Sequence, residues 1–132
     1  MVERLDIRTK VSFVGMKKNV EEWYRESHLF VLPSLYEGFG SVYVEAMASG
    51  LPCIAISNRS GKYSVAADEI IDHRENGFLM NNNSAEELSQ YILELFNSSD
   101  ELARLGENAR RKVVDFFSWE KTIENLLRIS IK

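Results

Sequence analysis

The sequence predicts an α/β domain, a Rossmann-like and mostly parallel sheet covered by helices. Three observations carry that prediction. Short apolar runs at residues 11–14, 28–32 and 52–57 alternate with stretches of helical period. The run at 28–32 is largely apolar at successive positions, as in a strand buried on both faces. Gly15 and Pro33 close the first two runs, which keeps them short.

Taken in order, residues 11–14 form the first expected strand, ended by Gly15. Residues 19–27 come next with Val20, Trp23, Tyr24 and Ser27 at helical spacing, then the strand at 28–32. A turn-rich loop, SLYEGFGS, leads into a helix over 42–49 that Gly50 terminates. Residues 52–57 are a further buried strand, 58–67 a loop, and 69–72 and 77–80 two short strands joined by an Asn76-Gly77 turn. The remainder is helical. Ser84 with Glu87 and Ser98 with Glu101 read as capping boxes. Leu88, Ile92, Leu95 and Phe96 make one apolar stripe; Leu102, Leu105, Ala109, Val113 and Phe116 make the next. Ser118 caps a last helix carrying Trp119, Ile123, Leu126 and Leu127.

Length and composition bound the function. The chain has 132 residues, 45% of them hydrophobic, enough for one packed domain and too apolar for a disordered chain. The net charge is −4 and no basic stripe occurs, so nucleic acid is not an expected partner. Arg110, Arg111 and Lys112 read as a solvated helix face. The single cysteine, Cys53, lies in an apolar run, excludes an internal disulfide and fits a reducing, cytoplasmic setting. The charged N-terminus has no signal-peptide pattern, and no apolar run has the length of a membrane span. Peripheral attachment at the inner face of a membrane stays open for a longer parent protein.

The chemistry concentrates in residues 30–52, FVLPSLYEGFGSVYVEAMASGLP. A buried strand, a glycine loop and a helix succeed one another there. In open α/β sheets, ligands bind beyond the carboxyl ends of strands. Gly38 and Gly40 bring the backbone close to a ligand, and the amides of residues 39–42 suit a phosphate at the positive end of the helix. Two carboxylates sharpen the reading. Glu45, among Val42, Tyr43, Val44, Ala46 and Met47, cannot hold a phosphate of like charge, but it can accept two vicinal sugar hydroxyls. Glu37 opens the loop eight residues earlier. The plainer alternatives are an exposed helix residue for Glu45 and an ordinary loop acid for Glu37.

With those residues in view, FVLPSLYEGFGSVYVEAMASGLPCIA resembles the signature of the retaining glycosyltransferases of family 4, which have the GT-B fold. The family's two glutamates, separated by seven residues, match Glu37 and Glu45. VSFVG, YRESHLFVLPS, EII, NGFLM and FSWEKT also keep the family's order, so the resemblance runs from about Val11 to Leu127. It implies a nucleotide-sugar donor domain. Glu45 would hold the donor's ribose and Glu37, as the catalytic candidate, the transferred sugar. The amides of Gly38, Phe39 and Gly40 would face the sugar, those of Ser41 and Val42 the diphosphate, and backbone near Gly15 and Met16 the base. No metal or other cofactor is expected, and the chain shows no Asp-x-Asp pair or His/Cys ligand cluster.

The departures from the family pattern shape what is expected of the whole chain. The resemblance places two further strands, a basic pair that clamps the diphosphate, and an entire N-terminal domain before Met1. That domain would bind the acceptor (a glycan, a lipid or a small molecule) and supply an active-site His. His28 and His73 match no such position and read as strand and loop residues. Residues 1–132 would then be a single donor domain without its first strands, inactive alone and prone to self-association. The segment SNRSGKYSVAAD is longer than the family's Gly-Gly turn, and its Arg59 and Lys62 read as solvated loop charges. Two alternatives stand beside the transferase: a non-catalytic module binding a nucleotide or sugar phosphate, and a split-gene remnant with an interaction role. The related nucleotide-sugar 2-epimerases match the paired-glutamate pattern less well. Gene length separates these readings, since a two-domain enzyme needs roughly 350–400 residues.

Overall fold

The protein is described by a computed structural model over residues 1–59 and 61–130. Three parallel strands form one sheet in the order β1 (Phe30–Leu32), β2 (Cys53–Ile56), β3 (Gly77–Met80). Phe30 pairs with Cys53, and Cys53 with Gly77, so the three strands begin level with one another. The central strand β2 is buried at all four positions, as its unbroken apolar run requires. Gly77 is demanded by this pairing, because a Cβ there would stand 2.4 Å from the Cys53 carbonyl oxygen.

Alternate residues of β2 and β3 feed two cores. On one face Cys53, Ala55 and Leu79 pack with Tyr43, Ala46 and Met47 of α2 (Ser41–Ala48) and with Ala109 of α5 (Ser99–Lys112). On the other, Ile54, Ile56, Phe78 and Met80 pack with Leu95 of α4 (Ala85–Phe96) and Leu105 of α5. Burying each such large side chain contributes roughly 1.5–3 kcal/mol. The helices α1 (Val20–Glu26) and α3 (Ala67–Ile70) complete the layers, and a π-helical turn over Val113–Phe117 links α5 to α6 (Trp119–Ser130).

The termini of α2 show how sequence becomes packing. Gly50, at φ 82°, closes the helix; its N–H donates to the Met47 carbonyl and that of Leu51 to the Ala46 carbonyl. The Gly50 carbonyl then abuts α5, where a Cβ on Gly106 would lie 2.3 Å from that oxygen. Arg110 donates to the Ala48 carbonyl at 3.2 Å and Lys112 pairs with Asp72 at 2.6 Å. These cations therefore tie α5 to its neighbours, and only Arg111, paired with Glu107, fits the solvated face expected of all three.

Several expected elements differ. Residues 11–14 are unpaired coil with Phe13 81% exposed, because they do not join the free edge of β1. Residues 67–70 are a helical turn in place of the strand expected at 69–72. Asp68 at that turn accepts from the Ser57 hydroxyl and the Asn58 N–H, both at 2.6 Å, which curls the backbone toward β2. The turn before β3 begins at Asp72, whose N–H donates to the buried Asn76 carboxamide at 2.9 Å. Ser84 and Ser98 cap α4 and α5 as expected. Neither box is reciprocal, since Glu87 accepts from Asn81 and Asn82, and Glu101 accepts from Arg104. Phe96 and Phe116 leave the apolar stripes for solvent, as do Trp119, Ile123 and Leu127 of α6. The Leu126 side chain lies outside the described residues.

Candidate functional site

The stretch between β1 and α2 sits at the carboxyl end of the sheet, where the sequence expects a ligand. Its geometry starts from one buried residue, Tyr43. The Tyr43 hydroxyl donates to the Leu32 carbonyl at 2.8 Å, locking the first turn of α2 to the end of β1. Burial first, and then the Glu37 carboxylate, push this phenol's pKa well above its ordinary value, so it stays a donor. Gly40 precedes α2 at φ 77°, with the Tyr43 ring 2.7 Å from the place of a Gly40 Cβ. The position thus excludes a side chain on both conformation and space.

The glycine at the helix start leaves the first turn without a side-chain cap. Among the described residues, none accepts a hydrogen bond from the backbone N–H groups of residues 38–42. Those donors and the positive end of α2 make an anion-accepting surface. The loop is held at its start, where the Glu37 N–H donates to the Ser64 carbonyl at 2.7 Å and the Ser64 N–H to the Leu35 carbonyl at 3.2 Å. Glu37 is half-buried, and its Cγ lies 3.5 Å from the place of a Gly40 Cβ. Gly38 has open space around it, and the exposed Phe39 ring meets Phe117 edge-on at 6.2 Å.

Glu45 is exposed on α2 rather than enclosed by its apolar sequence neighbours. Helical spacing explains this: Tyr43, Ala46 and Met47 take the buried face and Glu45 the rim. The hydroxyl of Tyr24 on α1 donates to Glu45 Oε2 at 3.4 Å, leaving the other carboxylate oxygen without a described partner. Burial, and after it the Glu45 charge, raises the Tyr24 pKa and keeps that proton in place. Of the remaining sequence candidates, Ser41 is exposed and Val42 half-buried on the first turn of α2. Gly15 turns at φ 63° and Met16 is fully exposed; no described hydrogen bond joins them to the loop.

Other sequence candidates take structural places. Arg59 lies 3.5 Å from Asp68, and the Lys62 ammonium sits over the Tyr63 ring at 5.3 Å. His28 is exposed just before β1, outside the strand expected to include it. His73 is a loop residue whose Nδ1 accepts from the Leu79 N–H at 3.0 Å. Burial, then Arg74 and Arg59, lowers its pKa. The Cys53 thiol is buried and pushed up to about 12, which makes it inert as a nucleophile at neutral pH. Sequence reasoning missed Tyr24, Ser64 and Phe117 as parts of the site. Tyr24 and Phe117 open the family-like stretches YRESHLFVLPS and FSWEKT, and Ser64 carried no signal; nothing in the sequence named their partners, because these contacts join positions far apart in the chain.

Residues 1–112 match the profile of the glycosyl transferases group 1. The chain is 33% identical over 123 residues to N-acetyl-alpha-D-glucosaminyl L-malate synthase of Bacillus anthracis, covering 93% of this chain and 31% of that protein. It is 32% identical over 124 residues to an uncharacterized glycosyltransferase of Haemophilus influenzae, covering 94% and 33%. Among solved structures, HepE of Anabaena in complex with UDP superposes with a TM-score of 0.85 at 26% identity, covering 98% of this chain and 34% of that one. The chain thus spans about one third of the length of the curated relatives it matches. The parallel sheet, the glycine loop feeding α2 and these matches together show that the chain belongs to the glycosyl transferases group 1 and has the α/β fold of a GT-B C-terminal domain.

Proposed function

We propose that the loop from Glu37 to Glu45 is the donor site of a retaining, sugar-transferring enzyme that uses a nucleotide-diphosphate sugar. The observation that carries this reading is the uncapped, Gly40-led start of α2, with partnerless amides flanked by two carboxylates. In it, the amides of Ser41 and Val42 receive the diphosphate, and those of Gly38, Phe39 and Gly40 the sugar. Glu45 accepts the ribose hydroxyls and Glu37 touches the transferred sugar. As the bond to the anomeric carbon breaks, charge grows on the departing β-phosphate. Amides already aimed at that position stabilise the charge without reorganising. That HepE, which this chain resembles, is solved in complex with UDP and with UDP-glucose supports a nucleotide-sugar donor for this chain. No metal is assigned a role, and backbone near Gly15 and Met16 is assigned to the base.

Titration of this chain with a panel of nucleoside diphosphates and their sugars, monitored by amide shifts, tests the reading. Perturbations are expected at residues 38–42 and at Glu45. A panel without saturable shifts there would leave the competing reading of a split-gene remnant with an interaction role. Transfer itself is ascribed to a longer protein, because the relatives are about three times this length. The chain alone is therefore expected to bind donor and to show no turnover in a nucleoside-diphosphate release assay with acceptor present.

A further inference from the structure

The glycine loop has an anchoring problem that its own hydrogen bonds do not solve. At one end Glu37 N–H bonds the Ser64 carbonyl, and at the other the Tyr43 hydroxyl bonds the Leu32 carbonyl. Between those anchors, residues 38–42 make no described backbone N–H bond, and Gly40 offers no side-chain cap. Two of the five are glycines, the residue type with most conformational freedom to lose. One side-chain contact of the segment reaches a distant element: the Phe39 ring meets Phe117 edge-to-face, centroids 6.2 Å apart and planes at 60°.

Phe117 ends the π-helical turn Val113–Phe117. Up to that turn α5 is regular, and its buried stripe descends through Leu105, Ala109 and Val113. The extra residue in a π turn rotates the downstream side chains about the helix axis. Phe117 consequently packs against the core beside α2, whereas Phe116, the residue the sequence places on the stripe, is 68% exposed. Phe39 remains 53% exposed despite the contact, so burial alone is a weak reason for the pairing. A local departure from α-helical geometry thus delivers one ring to the stretch between the two anchors, whose backbone N–H groups have no described partner.

We infer that Phe117 is a positioning residue that clamps the glycine loop through the Phe39 ring, keeping the amides of residues 38–42 aimed at one anion position. The use of that anion position rests on the donor reading above; the clamp itself does not. Phe117 touches no reacting atom in this scheme. Edge-to-face geometry makes the restraint directional, because the positive ring edge meets the negative face. Tyr at 117 keeps the ring and preserves the clamp; Ala removes it.

Nitrogen-15 relaxation on the whole 132-residue chain tests the clamp without requiring any ligand. Order parameters of residues 38–40 are expected to fall from the rigid range near ~0.85 to below ~0.6 in Phe117→Ala, and to stay rigid in Phe117→Tyr. Phe39→Ala, at an exposed position that does not endanger folding, is expected to loosen the same residues even if Phe117→Ala does not fold. The double variant is expected to be no looser than Phe39→Ala alone. Loop order unchanged in the single variants, or additive losses in the double, would overturn the clamp. A parallel titration with UDP-glucose is expected to show affinity reduced roughly 2- to 10-fold in Phe117→Ala. A wild-type chain whose loop loosens on substitution, yet binds neither UDP nor UDP-glucose, would sustain the clamp and count against the donor reading.

Discussion

Glu45 and Glu37 differ in what surrounds them, and that difference separates their roles. Glu45 stands on the rim of α2 with one oxygen engaged by Tyr24, whereas Glu37 is half-buried against Gly40. A charge-assisted hydrogen bond contributes about 1.5–3 kcal/mol, so Glu45→Gln is expected to weaken nucleoside diphosphate and donor alike, by roughly 10- to 150-fold. Glu37→Gln is expected to spare the nucleoside diphosphate, which lacks the transferred sugar, and to weaken only the nucleotide sugar. Calorimetry on both variants with both ligands decides this, and equal losses for the nucleoside diphosphate would remove the division of roles. Cys53 supplies a second test at this scale. Burial raises its thiol from an ordinary 9.0 to about 12 in the folded chain. A raised folded pKa contributes stability that is complete below the unfolded value and is lost as pH climbs toward the folded one. Urea midpoints are therefore expected to fall between about pH 9 and pH 12, by at most about 1.4 kcal/mol per unit for this group, and less steeply in Cys53→Ala.

At the scale of elements, the contact between α2 and α5 sets how the site-bearing helix is seated. Gly106 lets α5 press on the Gly50 carbonyl, which is itself held by the terminal turn of α2. Two effects oppose each other in Gly106→Ala. Helix propensity favours Ala by about 1 kcal/mol. A Cβ placed 2.3 Å from a backbone oxygen forces the helices apart, and overpacking of that kind costs about 1–3 kcal/mol. The clash is expected to win, lowering the denaturation midpoint; a stabilised Gly106→Ala variant would show that α5 slides freely over α2. The elements themselves were legible to different degrees. Strands β1 to β3, α2, and the Ser84 and Ser98 caps all arise from local pattern. The helical turn at Ala67–Ile70 does not, because Asp68 is drawn away by Ser57 and Asn58, which precede it by about ten residues.

For the whole molecule, the sheet is open at β1, which among the described residues pairs with β2 alone. An apolar strand with one free edge is a template for another chain. Exposed Phe13, Met16 and Trp23 near the start of the chain add apolar surface that remains uncovered. The isolated chain is accordingly expected to self-associate, with a mass that rises with concentration in light scattering. A monomer mass independent of concentration would mean that the edge is closed in solution. Among the described residues no helix is long and apolar enough to cross a membrane.

By itself, the sequence determined the α/β class, the parallel strands, the glycine loop and the pair Glu37 and Glu45, because each is written in contiguous residues: an apolar run, a glycine spacing, a helix period. The tertiary structure alone decided which neighbours those residues meet. Tyr24 reaches Glu45 across 21 positions, Ser64 holds Glu37 from a separate loop, and Phe117 meets Phe39 only because α5 ends in a π-helical turn. It also decided that residues 11–14 form no strand, since a β-prone segment that does not dock on the open edge of β1 leaves its backbone groups to water. Local periodicity reports which face of an element is apolar; the partner of that face is settled by packing between segments that the chain brings together only on folding.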